Sequence, residues 1–404
     1  MKVTIVGQGY VGLPLALQVA MVGHSVVGFD IDQSKIEHLK QGITQIPDVD
    51  LKIISLLLSE NRYIPSCDPK LMADSDVIVL AVPTPLDKKG KPDTSALVGA
   101  ANIVAQYCMP GALIINESTS FPGTLRNLIH PIFEKKSNSN LLFSSAPERV
   151  DPGNNTWNLK NTARVVSGLN ETATQKTLDF YSTFCSNIQI VSSPEIAETA
   201  KLFENTFRMV NIALVNELAL ICKNLRISTH EVLAAASTKP FGFMPFFPGI
   251  GVGGHCIPVD PMYLAYSAKL ARANSDLIES AHDLNSSMPK QVSELIKAEL
   301  DNDLSGKNIQ IVGIAYKPDV PDLRESPALE LMIILRSMGA RVIWCDPVVG
   351  EYEGELSSDL DTTVDLGVIL TPHRDLNFSV WREANTKVID ISSNSANYGW
   401  PKFL

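Results

Sequence analysis

The chain has no pair of cysteines spaced as CxxC. Its six cysteines, Cys67, Cys108, Cys185, Cys222, Cys256 and Cys345, are scattered over 404 residues. That excludes a zinc ribbon, a CxxC redox motif and a dense disulfide framework. No apolar run approaches the ~18 residues that a bilayer-spanning helix needs. Basic residues are the minority: 34 Lys and Arg against 44 Asp and Glu give a net charge of −10. A nucleic-acid-binding surface as the main function is excluded by that balance, whereas a local cationic pocket for a small anion is not. The strand-like run Val3–Val6 follows Met1-Lys2 directly, with no charged segment, apolar stretch and cleavage site before it. A cytoplasmic protein with free thiols is the expectation.

What is present is ordinary for a folded chain: 45% hydrophobic and 19% charged residues. At about 100–200 residues per domain, the length suggests two or three domains. Strand-like runs at Val3–Val6, Ser25–Phe29, Val77–Val82, Leu113–Ile115 and Leu141–Ser144 alternate with helical patterns such as Leu13–Val22 and Ser34–Lys40. This alternation predicts βαβ units around a buried parallel sheet, with further strands at Arg164–Ser167 and Ile188–Val191. A helix start follows at Ser193-Pro194-Glu195. From Glu195 to Lys239 there is no Gly or Pro, room for one long helix and part of a second. A helix that long, apolar on more than one side, suits an interdomain or dimer core. Ile309–Ala315, Arg341–Cys345, Val364–Leu370 and Lys387–Ile391 read as strands of a second βαβ region, with Pro327–Met338 helical. The predicted fold is α/β: two Rossmann-like, doubly wound parallel-sheet domains joined by a central long-helix region. The expected segments are 1–194, 195–298 and 299–404.

Gly7-Gln8-Gly9-Tyr10-Val11-Gly12 follows the first strand and opens a helix. This is G-x-G-x-x-G in the context that gives it meaning. Gly7 permits the tight turn, Gly9 lets backbone approach a pyrophosphate, and Gly12 packs helix on sheet. The free N–H groups and the helix dipole favour phosphate. The second strand ends at Asp30, an acid placed to accept ribose hydroxyls and to repel a 2′-phosphate, so NAD is expected over NADP.

The segment from Pro248 to Pro261 is the most unusual. Gly249, Gly251, Gly253 and Gly254 free the backbone just ahead of His255, Cys256 and Asp260. A structural glycine loop with a buried thiol and a ligand-facing nucleophile are both consistent with these residues. Lys201 and Asn205 lie four apart on the predicted long helix and share a face. They fit either a solvated face or a cation and an amide aimed at a thiolate and an oxyanion. Adjacent His255 and Cys256 are a poor start for a metal site, and no HxxxH or CxxC completes one. No metal is expected.

The opening GQGYVGLPLA, the AETAKLFEN segment and GVGGHCIPVDP resemble the UDP-glucose/GDP-mannose dehydrogenases. So do Ala81–Pro85, Glu117-Ser118-Thr119 before Pro122-Gly123, Pro147–Val150, Ala315–Pro318 and Asp322–Ser326. The resemblance covers essentially the whole chain, in order. It implies an NAD-dependent, four-electron oxidation of the C6 alcohol of a nucleotide sugar to a carboxylate. Cys256 would be the nucleophile that carries a thiohemiacetal and then a thioester. Lys201, Asp260 and an ordered water would handle protons, and Lys201 and Asn205 would stabilise the alkoxide and tetrahedral oxygens. Thr119 and Glu148 would help place water and cofactor, with Glu148 a base for hydrolysis. Lys35, Thr84, Thr119 and Arg324 would contact NAD beside Gly7, Gly9, Tyr10, Val11, Gly12 and Asp30. Glu148, Arg149 and Val150, within a Glu148–Pro152 stretch, would lie beside the sugar. Lys317, His255, Gly253 and the loop Phe247–Gly251, with Gly249 and Gly251, would hold the UDP-sugar.

His255 before the cysteine and Ile257-Pro258-Val259-Asp260 after it resemble the UDP-N-acetylhexosamine branch. The segment Ser237–Phe246 resembles the UDP-N-acetylglucosamine 6-dehydrogenases, with UDP-N-acetylmannosamine and UDP-glucose as the rival substrates. Relatives often carry an Arg shortly before the glycine loop, reaching into the neighbouring subunit; here there is Lys239 and no Arg. A homodimer or higher homo-oligomer through the central helix, no nucleic-acid or membrane partner, and a product feeding polysaccharide biosynthesis complete the expectation. A non-catalytic NAD-binding module is the rival class, and it would not need Cys256, Lys201, Asn205 and Asp260 together.

Overall fold

The structure is a computed structural model that describes residues 1–404 except 45, 47, 48, 137–139, 152, 153, 155 and 397. Pro152, expected beside the sugar, therefore lies outside the described residues. The chain divides into two compact units: Met1–Glu204 with Met262–Ala273, and Asn205–Pro261 with Asn274–Leu404.

The first unit is built on one sheet of eight strands. These are β1 (Lys2–Val6), β2 (Ser25–Phe29), β3 (Tyr63–Ser66), β4 (Val77–Leu80), β5 (Leu113–Asn116), β6 (Leu142–Ser145), β7 (Arg164–Gly168) and β8 (Ile188–Ile190). Their order is β3-β2-β1-β4-β5-β6-β7-β8. Helices α1 (Gly12–Met21), α2 (Gln33–Lys40), α3 (Leu51–Ser59), α4 (Ser95–Tyr107), α5 (His130–Glu134) and α6 (Glu171–Tyr181) belong to the same unit. Strand β4 (Val-Ile-Val-Leu) is apolar throughout because both faces of the sheet are covered there. In β4, Val77 and Val79 enter a core with Leu13, Leu15 and Val19 of α1, while Ile78 and Leu80 enter another with Leu97 and Val104 of α4. The two-residue side-chain period of a strand divides them so.

Two features depart from the expected pattern. β3 carries Pro65, which weakened its strand signal; it lies at the sheet edge, where a missing N–H is tolerated. β6 and β7 pair antiparallel, unlike every other junction of this sheet. A parallel return needs a crossover element, and no helix or strand occurs among the described residues between 146 and 163.

Helix α7 (Pro194–Leu225) is 32 residues long. It ends where Arg226 takes a left-handed φ of 58°. Ser228 then caps α8 (Thr229–Ser237) by accepting the N–H of Glu231. α9 (Asp260–Leu270) and α10 (Asp276–Glu299) follow. The second unit holds β9 (Asn308–Val312), α11 (Pro327–Ser337), β10 (Arg341–Cys345), the ribbon β11 (Glu351–Tyr352) and β12 (Glu355–Leu356), β13 (Leu366–Ile369), α12 (Ser379–Glu383) and β14 (Val388–Asp390). Its four-stranded sheet, β10-β9-β13-β14, is wholly parallel. Met288, Val292 and Ile296 of α10 share a core with Leu331 and Leu335 of α11 and Trp344 of β10. Among the described residues, no helix is long and apolar enough to cross a membrane.

Candidate functional site

The glycine turn sits at the carboxyl end of β1. Gly7 has φ 95° and donates its N–H to Phe29 O at 2.8 Å, tying the turn to β2. A Cβ on Gly7 would stand 2.3 Å from Ala81 O, and one on Gly12 would stand 1.8 Å from Gly7 O. At Gly9, by contrast, nothing lies within 4 Å of a Cβ position. The turn is thus closed at Gly7 and Gly12 and open at Gly9, a cradle that fits a pyrophosphate of NAD at the start of α1. Gln8, buried beneath, donates its side-chain amide to Ile5 O and Gly7 O and accepts the Tyr63 hydroxyl at 2.8 Å. Tyr10 and Val11 are half-buried above the turn.

Asp30 directly follows β2. Its Oδ2 accepts the N–H of Gln8 at 2.8 Å and Lys35 Nζ at 2.8 Å, and its Oδ1 accepts the N–H of Asp32 at 3.0 Å. Burial pushes this carboxyl up, and Lys35 with the two backbone donors more than offsets it, so the group stays below the usual carboxylate range. Each oxygen retains acceptor capacity for a ribose hydroxyl. Asp30 and Lys35 are therefore one preassembled pair. Thr84 is half-buried in the segment whose Pro85 carbonyl accepts the Tyr263 hydroxyl.

Thr119 lies on a turn after β5. Asn116 holds that turn by donating Nδ2 to Ser118 O and Ser120 Oγ, and Ser118 Oγ bridges to Val82. The turn continues to Gly123 and Leu125, whose N–H groups both donate to the Glu198 carboxylate, at 2.7 and 3.0 Å. Glu198 is one turn before Lys201 on α7, so one helix fixes both the Thr119 turn and the lysine. Glu148 follows β6. Its Oε1 accepts the N–H groups of Arg149 and Val150, and its Oε2 pairs with Arg164 at 2.8 Å. Burial raises its pKa; Arg164, the two N–H groups and the charge of Lys201 outweigh that and hold it ionised. Arg149 crosses to Glu204 on α7 at 2.7 Å and donates to Ala163 O. Lys201 is half-buried.

Asn205, Asp260 and the cysteine loop lie in the second unit. Asp260 is buried, and its Oδ2 accepts Asn205 Nδ2 at 2.5 Å. The Asp260 N–H donates to Cys256 O at 2.8 Å, so the thiol sits on the turn that opens α9. Cys256 and His255 are half-buried. Gly251 (φ 117°) and Gly254 (φ 83°) need left-handed backbone, and a Cβ on Gly253 would stand 2.8 Å from the Tyr316 side chain. The Gly254 N–H donates to Arg324 O at 2.9 Å. The Arg324 guanidinium is exposed and grips Asp322 at 2.5 Å. Phe247 stacks on His230, with ring centroids 5.8 Å apart.

A crevice in this unit lies beyond the carboxyl ends of β9, β13 and β14. Gly251, Gly253, Tyr316, Ser326, Thr371 and Ser393 are among the residues that line it. Ligands of open parallel sheets bind at such a place. Gly251 and Gly253 were expected there. Ser326, Thr371 and Ser393 were not, because what marks them is their place at the start of α11 or just after a strand, not their residue type. Lys317 is half-buried next to Tyr316. Sequence reasoning also missed Glu117, Arg164 and Glu198, whose partners are distant in the chain.

Three family models of the UDP-glucose/GDP-mannose dehydrogenase family match in succession. They are the NAD binding domain at residues 1–185, the central domain at 195–287 and the UDP binding domain at 310–393. A UDP-N-acetyl-D-glucosamine 6-dehydrogenase of Pseudomonas aeruginosa is 36% identical, over 86% of this chain and 83% of its own. A UDP-N-acetyl-D-mannosamine dehydrogenase of Methanocaldococcus jannaschii is 35% identical, over 92% and 86%. The solved structure of a UDP-D-ManNAc dehydrogenase from Pyrococcus horikoshii superposes with a TM-score of 0.87 at 31% identity, covering 99% of this chain and 97% of that one. An NAD-binding turn, a cysteine on a glycine loop and a nucleotide crevice, in this order along one chain, agree with these likenesses: the chain belongs to the UDP-glucose/GDP-mannose dehydrogenase family and is an NAD-dependent nucleotide-sugar dehydrogenase.

Proposed function

We propose that the chain oxidises the C6 primary alcohol of a UDP-N-acetylhexosamine, foremost UDP-N-acetylglucosamine, to the uronate. The observation that carries this reading is the Cys256 turn, whose backbone leads into Asp260 while Asn205 holds the Asp260 carboxylate. NAD, when bound at the glycine turn, accepts a hydride in each of two oxidations. Lys201 and Asp260 take up the hydroxyl proton as the alcohol becomes an aldehyde. The Cys256 thiolate adds to the aldehyde carbon, giving a thiohemiacetal whose oxygen Lys201 and Asn205 stabilise. Loss of a second hydride and a proton leaves a thioester. Glu148, with Thr119 placing the water, assists its attack; the C–S bond breaks, and thiolate and carboxylate are released. The second unit's crevice takes the UDP, with Lys317, His255 and the Phe247–Gly253 loop around the sugar nucleotide. Arg324 and Thr84 complete the NAD contacts, and Arg149 and Val150 hold the sugar side of Glu148.

On this reading, residues 1–194, 195–298 and 299–404 divide the work among NAD, catalysis and UDP. The six cysteines, none of them in a disulfide, suit a cytoplasmic enzyme. The exposed apolar residues of α7 suit a homodimer. UDP-N-acetylmannosamine is the second reading, favoured by the mannosamine dehydrogenases among the relatives.

A panel of UDP-sugars with NAD, scored for NADH per sugar consumed, tests the proposal. Two NADH and a uronate are expected, with UDP-N-acetylglucosamine turned over fastest. Cys256→Ser should fold and bind NAD yet fail to complete the second oxidation. Full uronate production by that variant defeats thioester chemistry, and faster turnover of UDP-N-acetylmannosamine defeats the choice of sugar.

A further inference from the structure

Arg164 on β7 stands between two carboxyl groups from separate parts of the chain. Its Nη1 is 3.1 Å from Glu117 Oε1, and its Nη2 is 2.8 Å from Glu148 Oε2. Arg164 and Glu117 are buried. The two carboxyl groups are not equivalent. Glu148 has Arg164 on one oxygen and two backbone N–H groups on the other. Glu117 Oε1 faces Arg164 and the Tyr181 hydroxyl, while its buried Oε2 has no hydrogen-bond partner among the described residues. One guanidinium cannot neutralise two carboxylates, and a surplus buried charge is costly. The carboxyl with fewer donors is therefore the one that keeps a proton.

We infer that Glu117 and Arg164 are positioning residues for Glu148: Arg164 aims its carboxylate, and release of the Glu117 proton strengthens it as a base. The inference rests on the role proposed above for Glu148. Glu117 is faced by Arg164 from β7, by Tyr181 at the end of α6 and by Glu148 after β6, and its charge acts on Cys185 beyond α6; Lys201 of α7 acts on Glu148. Burial pushes Glu117 up to about 7, with Arg164 opposing and Glu148 adding to the rise. Below that pH the cluster holds one carboxylate for one guanidinium. Above it, Glu117 competes for Arg164 and adds a negative charge beside Glu148, which raises Glu148's affinity for the proton of an attacking water.

Infrared spectra of the whole enzyme, titrated from about pH 5 to about pH 9, should show a protonated-carboxyl band that vanishes near neutrality. The band should be absent in Glu117→Gln and, in Glu148→Gln, should vanish at lower pH than in wild type, because Arg164 is then left to Glu117 alone. Breakdown of the Cys256 acyl-enzyme, followed by rapid quench and protein mass, should accelerate with pH through the same range. Glu117→Gln should flatten that rise and slow breakdown about tenfold at the alkaline end. Arg164→Lys, which keeps the charge and loses the fork, should slow breakdown while sparing the first oxidation. A Glu117→Gln profile that overlays wild type, or a band that persists in Glu117→Gln, overturns the inference alone, provided Glu148→Gln is slow. Wild-type breakdown in Glu148→Gln removes the role of Glu148 and the inference with it.

Discussion

Gly9 and Gly12 stand three residues apart in one turn, and the space around them differs. A methyl on Gly12 would be driven into a backbone carbonyl at 1.8 Å, whereas one on Gly9 meets nothing within 4 Å. Gly12→Ala should therefore cost stability, roughly 1–3 kcal/mol for a forced backbone shift. Gly9→Ala should melt with wild type and still bind NAD about tenfold or more weakly, a loss of about 1.4 kcal/mol, because the methyl occupies the phosphate's approach. Paired thermal melts and NAD calorimetry separate the two, and wild-type affinity in Gly9→Ala would show that the open space is not the pyrophosphate site. This turn was legible in the sequence because its meaning lies in local spacing. Glu117 and Arg164 were not: they are separated by α5, β6 and a long loop, and the antiparallel return of β7 brings the guanidinium between both carboxyl groups.

Among the elements, α7 shows most directly how far pattern reading reaches. Its length follows from a stretch without Gly or Pro, and its end from a left-handed Arg226 and the Ser228 cap. Ile196, Phe203, Phe207, Leu214, Ile221 and Leu225 are all exposed. They recur at intervals of seven or four residues, which keeps them on one stripe of a 3.6-residue helix. Six large apolar side chains in line are more than a solvated helix face needs, and a second copy of the chain is the proposed cover. Leu214→Glu, at the middle of the stripe, should halve the mass measured by light scattering and leave the helical circular dichroism signal intact. An unchanged mass would exclude this stripe as the interface. Elements with weaker patterns escaped notice: β3 was masked by Pro65, and the direction of β7 depends on what its preceding loop lacks.

At the scale of the whole molecule, the two units repeat one local design with different outcomes. In the first, Gly7 (φ 95°) bonds to Phe29 O and the next strand is followed at once by Asp30. In the second, Gly313 (φ 82°) bonds to Cys345 O and the next strand is followed at once by Asp346. A Cβ on Gly313 would stand 1.9 Å from Thr371 O, as one on Gly7 would crowd Ala81 O. The acids then diverge. Asp346 is fully buried, with Oδ2 accepting the N–H groups of Ile314 and Ala315, and Oδ1 accepting those of Val348 and Val349 beside His373 Nε2 at 3.0 Å. Its capacity is committed to protein groups. Asp30 has fewer partners and a half-exposed lysine. The sequence showed the repeat only as architecture, because the second turn lacks the GxGxxG spacing. Matched substitutions should separate the roles. Asp346→Ala leaves four backbone donors and a histidine without their acceptor, and should cost about 3–5 kcal/mol in urea unfolding, with NAD affinity unchanged wherever the variant is folded. Asp30→Ala should cost less stability, weaken NAD, and narrow the preference over NADP, since the charge that repels a 2′-phosphate is gone. Should Asp30→Ala keep its NAD affinity while Asp346→Ala loses it, the cofactor belongs to the other unit's turn and the assignment of the two sheets is reversed.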